Sequence, residues 1–290
     1  MTGTEGVLMS TTIFSVVLLA ALLHALWNFA ARNARGNLSV LWLGIVLASI
    51  CCLPFALASV AVDRELMQGL PFILATGVVH ALYFALLGKS YETGEISSVY
   101  PVARGTGVMG TGLAASVLLA EPISLSGAGG IFCVCAGILL VGTSDRHRRG
   151  SLRAIAYALA VGGSIAVYSI IDKVGVELVN PVCYIFGMFS ITAFILTPVI
   201  FVKHRRECCL ALLTMQRHIW LIGIGSMGTY LIILFTYRTG MVSYIVAVRE
   251  FSVVVGALLG IVILKEHFSP AKGLGIAAVT LGLILIKATP

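Results

Sequence analysis

The sequence predicts an all-α membrane protein in which ten transmembrane helices form two inverted five-helix repeats. Three observations carry that prediction. Of the 290 residues 59% are hydrophobic and 11% charged, with a mean hydropathy of +1.04, which leaves too little polar surface to solvate a globule of this size. The apolar runs between short polar stretches each approach the roughly 20 residues that cross hydrocarbon as a helix, the open-chain geometry that satisfies every backbone group there. Finally, Arg104 and Arg249 stand 145 positions apart, as do Glu121 and Glu266, and Gly137 and Gly282. Pro54 matches Pro198 at an offset of 144, Asn37 matches Asn180 at 143, and Trp27 with Arg32 matches Tyr168 with Lys173 at 141, so the duplication spans five helices. Five is odd, and the two repeats must therefore cross the bilayer in opposite senses.

Helix 1 is expected over Thr12–Ala31, closing on Arg32 and Arg35. The segment Met1–Thr11 holds no Lys or Arg and no small-residue cleavage site follows, so the helix is expected to be retained rather than removed as a signal. Helix 2 covers Leu38–Val62, Asp63-Arg64-Glu65 makes a polar turn, and helix 3 runs from Leu70 to Leu87. Lys89, Glu92 and Glu95 mark the next connection. Helix 4 carries Arg104, Glu121-Pro122 breaks the chain, and helix 5 covers Ser126–Val141. Helices 6 to 10 follow at Arg153–Ile171, Pro181–Val202, Ile219–Thr236, Tyr244–Leu264 and Gly273–Ile286. Residues 1–143 make the first repeat and 153–290 the second. The linker is 144–152, with its charge run Asp145-Arg146-His147-Arg148-Arg149.

Thirteen Lys and Arg fall in the connections after helices 1, 3, 5, 7 and 9, against three in the other connections and one at the C-terminus. The positive-inside rule puts the crowded side in the cytoplasm and both termini outside. The net charge of +7 belongs to these loops and suits anionic lipid; no basic helix with interleaved aromatics offers a nucleic-acid surface.

An arginine near the middle of a membrane helix costs roughly 2.5–3.5 kcal/mol on insertion scales, so one in each repeat points to a polar cavity between the halves. Snorkelling to the headgroups is the competing account. Tyr100-Pro101-Val102-Ala103-Arg104 and Val246-Ala247-Val248-Arg249-Glu250 are the two sites of this device. Glu250 is the acid deep in a span; it either pairs with Arg104, leaving Arg249 unneutralised, or serves as a carboxylate that a proton occupies. Adjacent helical residues diverge by about 100°, so Glu250 is expected to face away from Arg249. His24, Trp27 and Asn28 share one face of helix 1, and Tyr83 follows His80 at i+3 on helix 3. Each histidine is either a proton relay or a neutral structural hydrogen-bonding group.

Gly105-Thr106-Gly107-Val108-Met109-Gly110 matches a dinucleotide fingerprint, but no strand precedes it, and small residues that let helices approach are the better reading. The seven cysteines show no paired ligand spacing and suit buried thiols; His204, Cys208 and Cys209 lack a fourth ligand, so no metal and no cofactor is expected.

Two five-helix repeats, an aromatic followed five residues later by Arg32 or Lys173, and Glu121 or Glu266 before the fifth helix of each half resemble the EamA branch of the drug/metabolite transporter superfamily. The resemblance covers nearly the whole chain. It implies a carrier with a central cavity formed by helices 1, 3, 4, 6, 8 and 9, and it leaves the cargo open. The resulting expectation is a multi-pass protein of the inner (plasma) membrane that moves a small organic solute, amino-acid-like or anionic, by alternating access. Export is favoured, proton coupling is open with His24 and Glu250 as its leading candidates, and the protein is a monomer or homodimer. The expected substrate-binding residues are Arg104, Arg249, Glu250, His24, Trp27, Asn28, His80, Tyr83, Tyr100 and Tyr168. A lipid- or headgroup-modifying enzyme built on His24, His80 and Glu250 is the alternative, and a membrane scaffold the further one; no nucleophile elbow or metalloprotease motif supports the first.

Overall fold

A computed structural model describes residues 9–34, 37–60, 66–94, 96–143, 151–263 and 265–289. They form α1 (Thr11–Asn33), α2 (Leu38–Val60), α3 (Leu66–Thr93), α4 (Ile96–Leu118), α5 (Leu125–Thr143), α6 (Leu152–Leu178), α7 (Pro181–Lys203), α8 (Arg205–Thr214), α9 (Gln216–Tyr237), α10 (Val242–Arg249), α11 (Phe251–Ile263) and α12 (Pro270–Lys287), with no strand among the described residues. The polar turn at 63–65, Glu95, Arg35 and most of the linker lie outside the described residues, as does the segment before Met9.

Nine stretches among the described residues are long and apolar enough to cross a membrane, with α10 and α11 together counting as one, Val242–Ile263. α4 has the length, at 23 residues, but Pro101, Arg104 and its glycines and threonines hold its apolarity below that of the rest. Large apolar side chains such as Leu113, Val117, Phe194 and Val202 stand exposed on the outside of the bundle, as a lipid-facing surface requires. The chain is a multi-pass helical membrane protein.

Three features depart from the sequence expectation. α6 continues to Leu178, past Ile171, which puts Asp172 inside a helix. The stretch expected as one helix over Tyr244–Leu264 is broken at Glu250, where Glu250 N–H donates to Ala247 O at 3.1 Å and Val253 N–H to Glu250 O at 2.8 Å, a tight turn between α10 and α11. The charged loop after helix 7 folds as α8, which buries Cys208 and Ala211, three apart on one face, and leaves Leu210, Leu212 and Leu213 exposed. Cys51, Cys52, Cys133, Cys135, Cys208 and Cys209 are free thiols.

Matching positions of the two halves adopt matching local geometry. Asn37 Oδ1 accepts from Ser39 N–H at 2.8 Å to start α2, and Asn180 Oδ1 accepts from Val182 N–H at 2.9 Å to start α7. Ser124 caps α5 through Gly127 N–H at 3.0 Å, and Ser269 caps α12 through Lys272 N–H at 3.2 Å. Ala120 and Lys265, 145 apart, both turn the chain at positive φ, 51° and 53°. The glutamate after each then donates its N–H six residues back, Glu121 to Ala115 O at 3.2 Å and Glu266 to Gly260 O at 3.1 Å.

Helices of one half pack chiefly on helices of the other. α3 lies against α6 and α7, while its counterpart α9 lies against α1 and α2; α4 lies against α6, and α10 and α11 against α1. Some counterpart pairs also touch directly, and two of these run antiparallel. Trp42 Nε1 donates to Ala193 O at 3.0 Å and Cys183 Sγ to Ala56 O at 3.6 Å, so α2 ascends where α7 descends. In the other pair Gly137 meets Gly275 and Gly130 meets Gly282. A methyl group on Gly137 would stand 2.6 Å from the Gly275 carbonyl oxygen and one on Gly282 2.6 Å from that of Gly130, so the backbones of α5 and α12 approach too closely for any side chain.

Candidate functional site

α1, α3, α4, α6, α7, α9 and α10 converge on a buried cluster of charge and aromatic rings. At its centre Arg104 donates through Nε to Glu250 Oε2 at 2.9 Å and through Nη2 to Oε1 at 2.6 Å, a two-pronged pair with the partners 5% and 1% exposed. The same Nη2 reaches His24 Nε2 at 3.1 Å. A guanidinium can only donate, so His24 Nε2 offers a lone pair and the imidazole proton sits on Nδ1. Tyr100 holds its ring 5.8 Å from the Arg104 guanidinium carbon. The first of the two sequence readings of Glu250, pairing with Arg104, is the arrangement the fold adopts.

Arg249 is 2% exposed, and its Nε and Nη2 have no hydrogen-bond partner among the described residues. Its nearest charge is Glu250 Oε1, 3.8 Å from Nε, already engaged by Arg104. α10 ends between residues 249 and 250, and the Nε of Arg249 lies 3.8 Å from the carboxylate that Arg104 engages. Neither arginine snorkels in this structure; both end inside the bundle, within electrostatic range of Tyr168.

A second polar group adjoins the first. His80 stacks on Tyr168 at 4.2 Å and meets Tyr83 and Tyr230 edge-on at 6.5 and 5.6 Å. Its Nδ1 carries a proton, because the Thr76 carbonyl oxygen 2.9 Å away can only accept. Asp172 is fully buried, and its carboxylate accepts from Tyr184 Oη at 2.8 Å and from Tyr230 Oη. This corrects the expectation that Glu250 is the one deep acid: hydropathy ends helix 6 at Ile171, whereas the helix runs on and carries Asp172 into the core. The i, i+4 spacing of Tyr168 and Asp172 on one helical face is the signal that could have found it.

The remaining expected residues take lesser positions. Trp27 packs edge-on to His24 at 5.0 Å with its indole N–H buried and unpartnered among the described residues. Asn28 gives its amide to the His24 carbonyl at 2.7 Å, a bond within its own helix. Glu121, expected only as a chain break, reaches across the halves and accepts from Val242 N–H at 2.6 Å, Ser243 N–H at 3.1 Å and Ser243 Oγ at 2.6 Å. It thereby caps the helix that carries Arg249. Beside this cap opens a cleft of about 340 Å³, with Lys173, Glu177 and Arg238 on its walls. Lys173 donates to Tyr237 O at 2.5 Å and pairs with Glu177 at 2.8 Å. No cluster of His, Cys, Asp and Glu that could hold a metal occurs among the described residues, and His204 instead pairs with Glu207 at 3.0 Å.

Residues 152–288 match the EamA-like transporter family, in line with the resemblance to that branch of the drug/metabolite transporters. The uncharacterized transporter YwfM of Bacillus subtilis (strain 168) is 27% identical over 168 residues, 53% of this chain and 52% of that protein. The chain thus spans about half the length of the curated relative it matches. A solved crystal structure shares the fold with a TM-score of 0.75 at 16% identity, covering 95% of both chains.

Proposed function

We propose that the protein is an alternating-access secondary carrier of the inner (plasma) membrane that exports a small organic metabolite bearing a carboxylate, phosphate or phosphonate, an amino-acid-like solute included. The observation that carries this reading is Arg249, a buried guanidinium with two N–H donors unpartnered among the described residues and its one nearby carboxylate taken by Arg104. A buried cation without a counter-ion is costly, and an oxyanion that accepts two parallel N–H bonds removes the cost. Arg104, Glu250, His24, Trp27, Tyr83, Tyr100, Tyr168 and His80 would form the rest of the chamber, with Asn28 a helix-bound neighbour. Burial of both arginines supports alternating access, since a solute can enter only when the halves part. The antiparallel counterpart pairs α2 with α7 and α5 with α12 support inverted repeats, residues 1–143 and 153–290 joined by 144–152.

The test is thermal unfolding of the detergent-purified full chain with succinate, phosphate and phenylphosphonate, each beside a neutral amide or ester counterpart. A solute at about 100 times its Kd stabilises by about 2.7 kcal/mol. At least one acid is expected to raise the unfolding temperature while its neutral counterpart does not, and Arg249→Lys is expected to remove the difference. Equal effects of acid and neutral counterpart, or an Arg249→Lys variant that responds like the wild type, would overturn the anion site. Efflux against influx of the stabilising acid in oriented vesicles tests the direction.

A further inference from the structure

Asp172 itself is not among the residues of the anion chamber, and its surroundings suit a different ligand. The carboxylate is fully buried, makes no ion pair within 4 Å among the described residues, and is held by phenol hydroxyls from two other helices, Tyr184 on α7 and Tyr230 on α9, with the Thr76 hydroxyl of α3 beside them. The titratable and charged groups around it are His80 from α3, Tyr184 from α7, Tyr230 and Tyr237 from α9, and Tyr168 on its own helix; Arg249 of α10 acts on His80 and Tyr168, and Arg104 of α4 on Tyr168.

Two opposing effects meet at this carboxyl. Removal from water favours the neutral acid, and two charge-assisted hydrogen bonds favour the anion. Both phenol hydroxyls stand within hydrogen-bond reach of the carboxylate, and a proton on one of its remaining lone pairs is a ligand that fits among them. On protonation one carboxyl oxygen becomes a donor, and the phenol facing it must turn its own hydrogen elsewhere. The bond tying α6 to α7 or to α9 then changes direction. Neither candidate expected from the sequence is as free to do this: the His24 lone pair and both Glu250 oxygens are engaged by Arg104.

We propose that Asp172 is a proton-binding site, its carboxyl taking one proton from water and returning it as the halves open and close, so that the attachment of α6 to α7 and α9 follows protonation. Its use in transport rests on the carrier reading above. Because the carboxylate adjoins the Tyr168 and His80 pair that leads to Arg249, loss of its charge strengthens anion binding there, and anion binding in turn favours proton uptake.

The test is infrared difference spectroscopy of the purified full chain between about pH 5 and about pH 8, wild type against Asp172→Asn and Tyr230→Phe. The wild type is expected to show a protonated-carboxyl band that rises at acid pH and is lost in Asp172→Asn. Tyr230→Phe removes one donor to the anion, so its band midpoint is expected to move toward alkaline pH by roughly one to two units. Absence of the band in the wild type, or its persistence in Asp172→Asn, overturns the proposal. If Asp172→Asn does not fold, an unmoved midpoint in Tyr230→Phe overturns it alone. The measurement needs no solute. A negative result therefore removes the proton site and leaves the carrier reading standing, while a chain that moves no solute yet shows the band removes the carrier and leaves the proton site.

Discussion

Glu250→Gln isolates the electrostatic centre of the molecule, because it changes one charge at almost constant shape. Glu250 is the carboxylate for two guanidiniums, with Arg104 at 2.9 and 2.6 Å and the Nε of Arg249 at 3.8 Å. Unit charges about 4 Å apart interact by about 4 kcal/mol at the effective dielectric near 20 that reproduces protein behaviour. Loss of one partner of a buried ion pair costs about 3–5 kcal/mol, a range that contains this figure. The glutamine still accepts one hydrogen bond from Arg104, which places the expected loss near the lower end, about 3 kcal/mol. Replacing both partners as Arg104→Met with Glu250→Leu removes one charge of each sign and is expected to lie within about 1 kcal/mol of the wild type, since buried pairs and apolar residues of similar volume are often equivalent. Denaturant titration of the detergent-purified chain, followed by tryptophan fluorescence, measures both. A Glu250→Gln loss below about 1 kcal/mol, or a double variant as unstable as the single one, would refute the claim that this carboxylate is what neutralises Arg104.

Glu121→Ala removes three hydrogen bonds from the start of α10; amide exchange at Val242 and Ser243 is expected to quicken, and protection that stays at the wild-type level would show the cap to be dispensable. Gly137→Ala forces a methyl to within 2.6 Å of a backbone oxygen on α12 and is expected to cost about 1–3 kcal/mol. Gly163→Ala on α6, where nothing stands within 4 Å, is expected to be neutral or stabilising by up to about 1 kcal/mol, so equal unfolding midpoints for the two would contradict the glycine contact.

Hydropathy and the repeat offsets make the helical runs legible, because each run must satisfy its own backbone in lipid and each polar stretch must leave it. The pairing of Arg104 with Glu250 is legible as one of two options, since a deep acid and a deep arginine on separate helices have strong reason to meet. Asp172 is hard to read, because next to Lys173 it looks like the end of a span, and beyond its i, i+4 spacing from Tyr168 it is the tertiary packing of Tyr184 and Tyr230 that makes a place for it inside. The break at Glu250 leaves no local mark either: no proline or glycine lies between Tyr244 and Phe251, and the turn follows from where the carboxylate is needed. α8 escapes because ten residues of mixed polarity carry neither a spanning length nor a loop composition.

The interleaving of the halves has a consequence for how the protein is made. A ribosome delivers α1 to α5 before any of α6 to α12 exists, yet α3 finds its packing partners in α6 and α7, and α5 its close-approach partner in α12. The early helices must therefore wait in lipid as loosely associated, inserted rods, with Arg104 lacking the carboxylate that neutralises it until α10 and α11 arrive. Final assembly is then an event within the bilayer that waits for the helices of the second half.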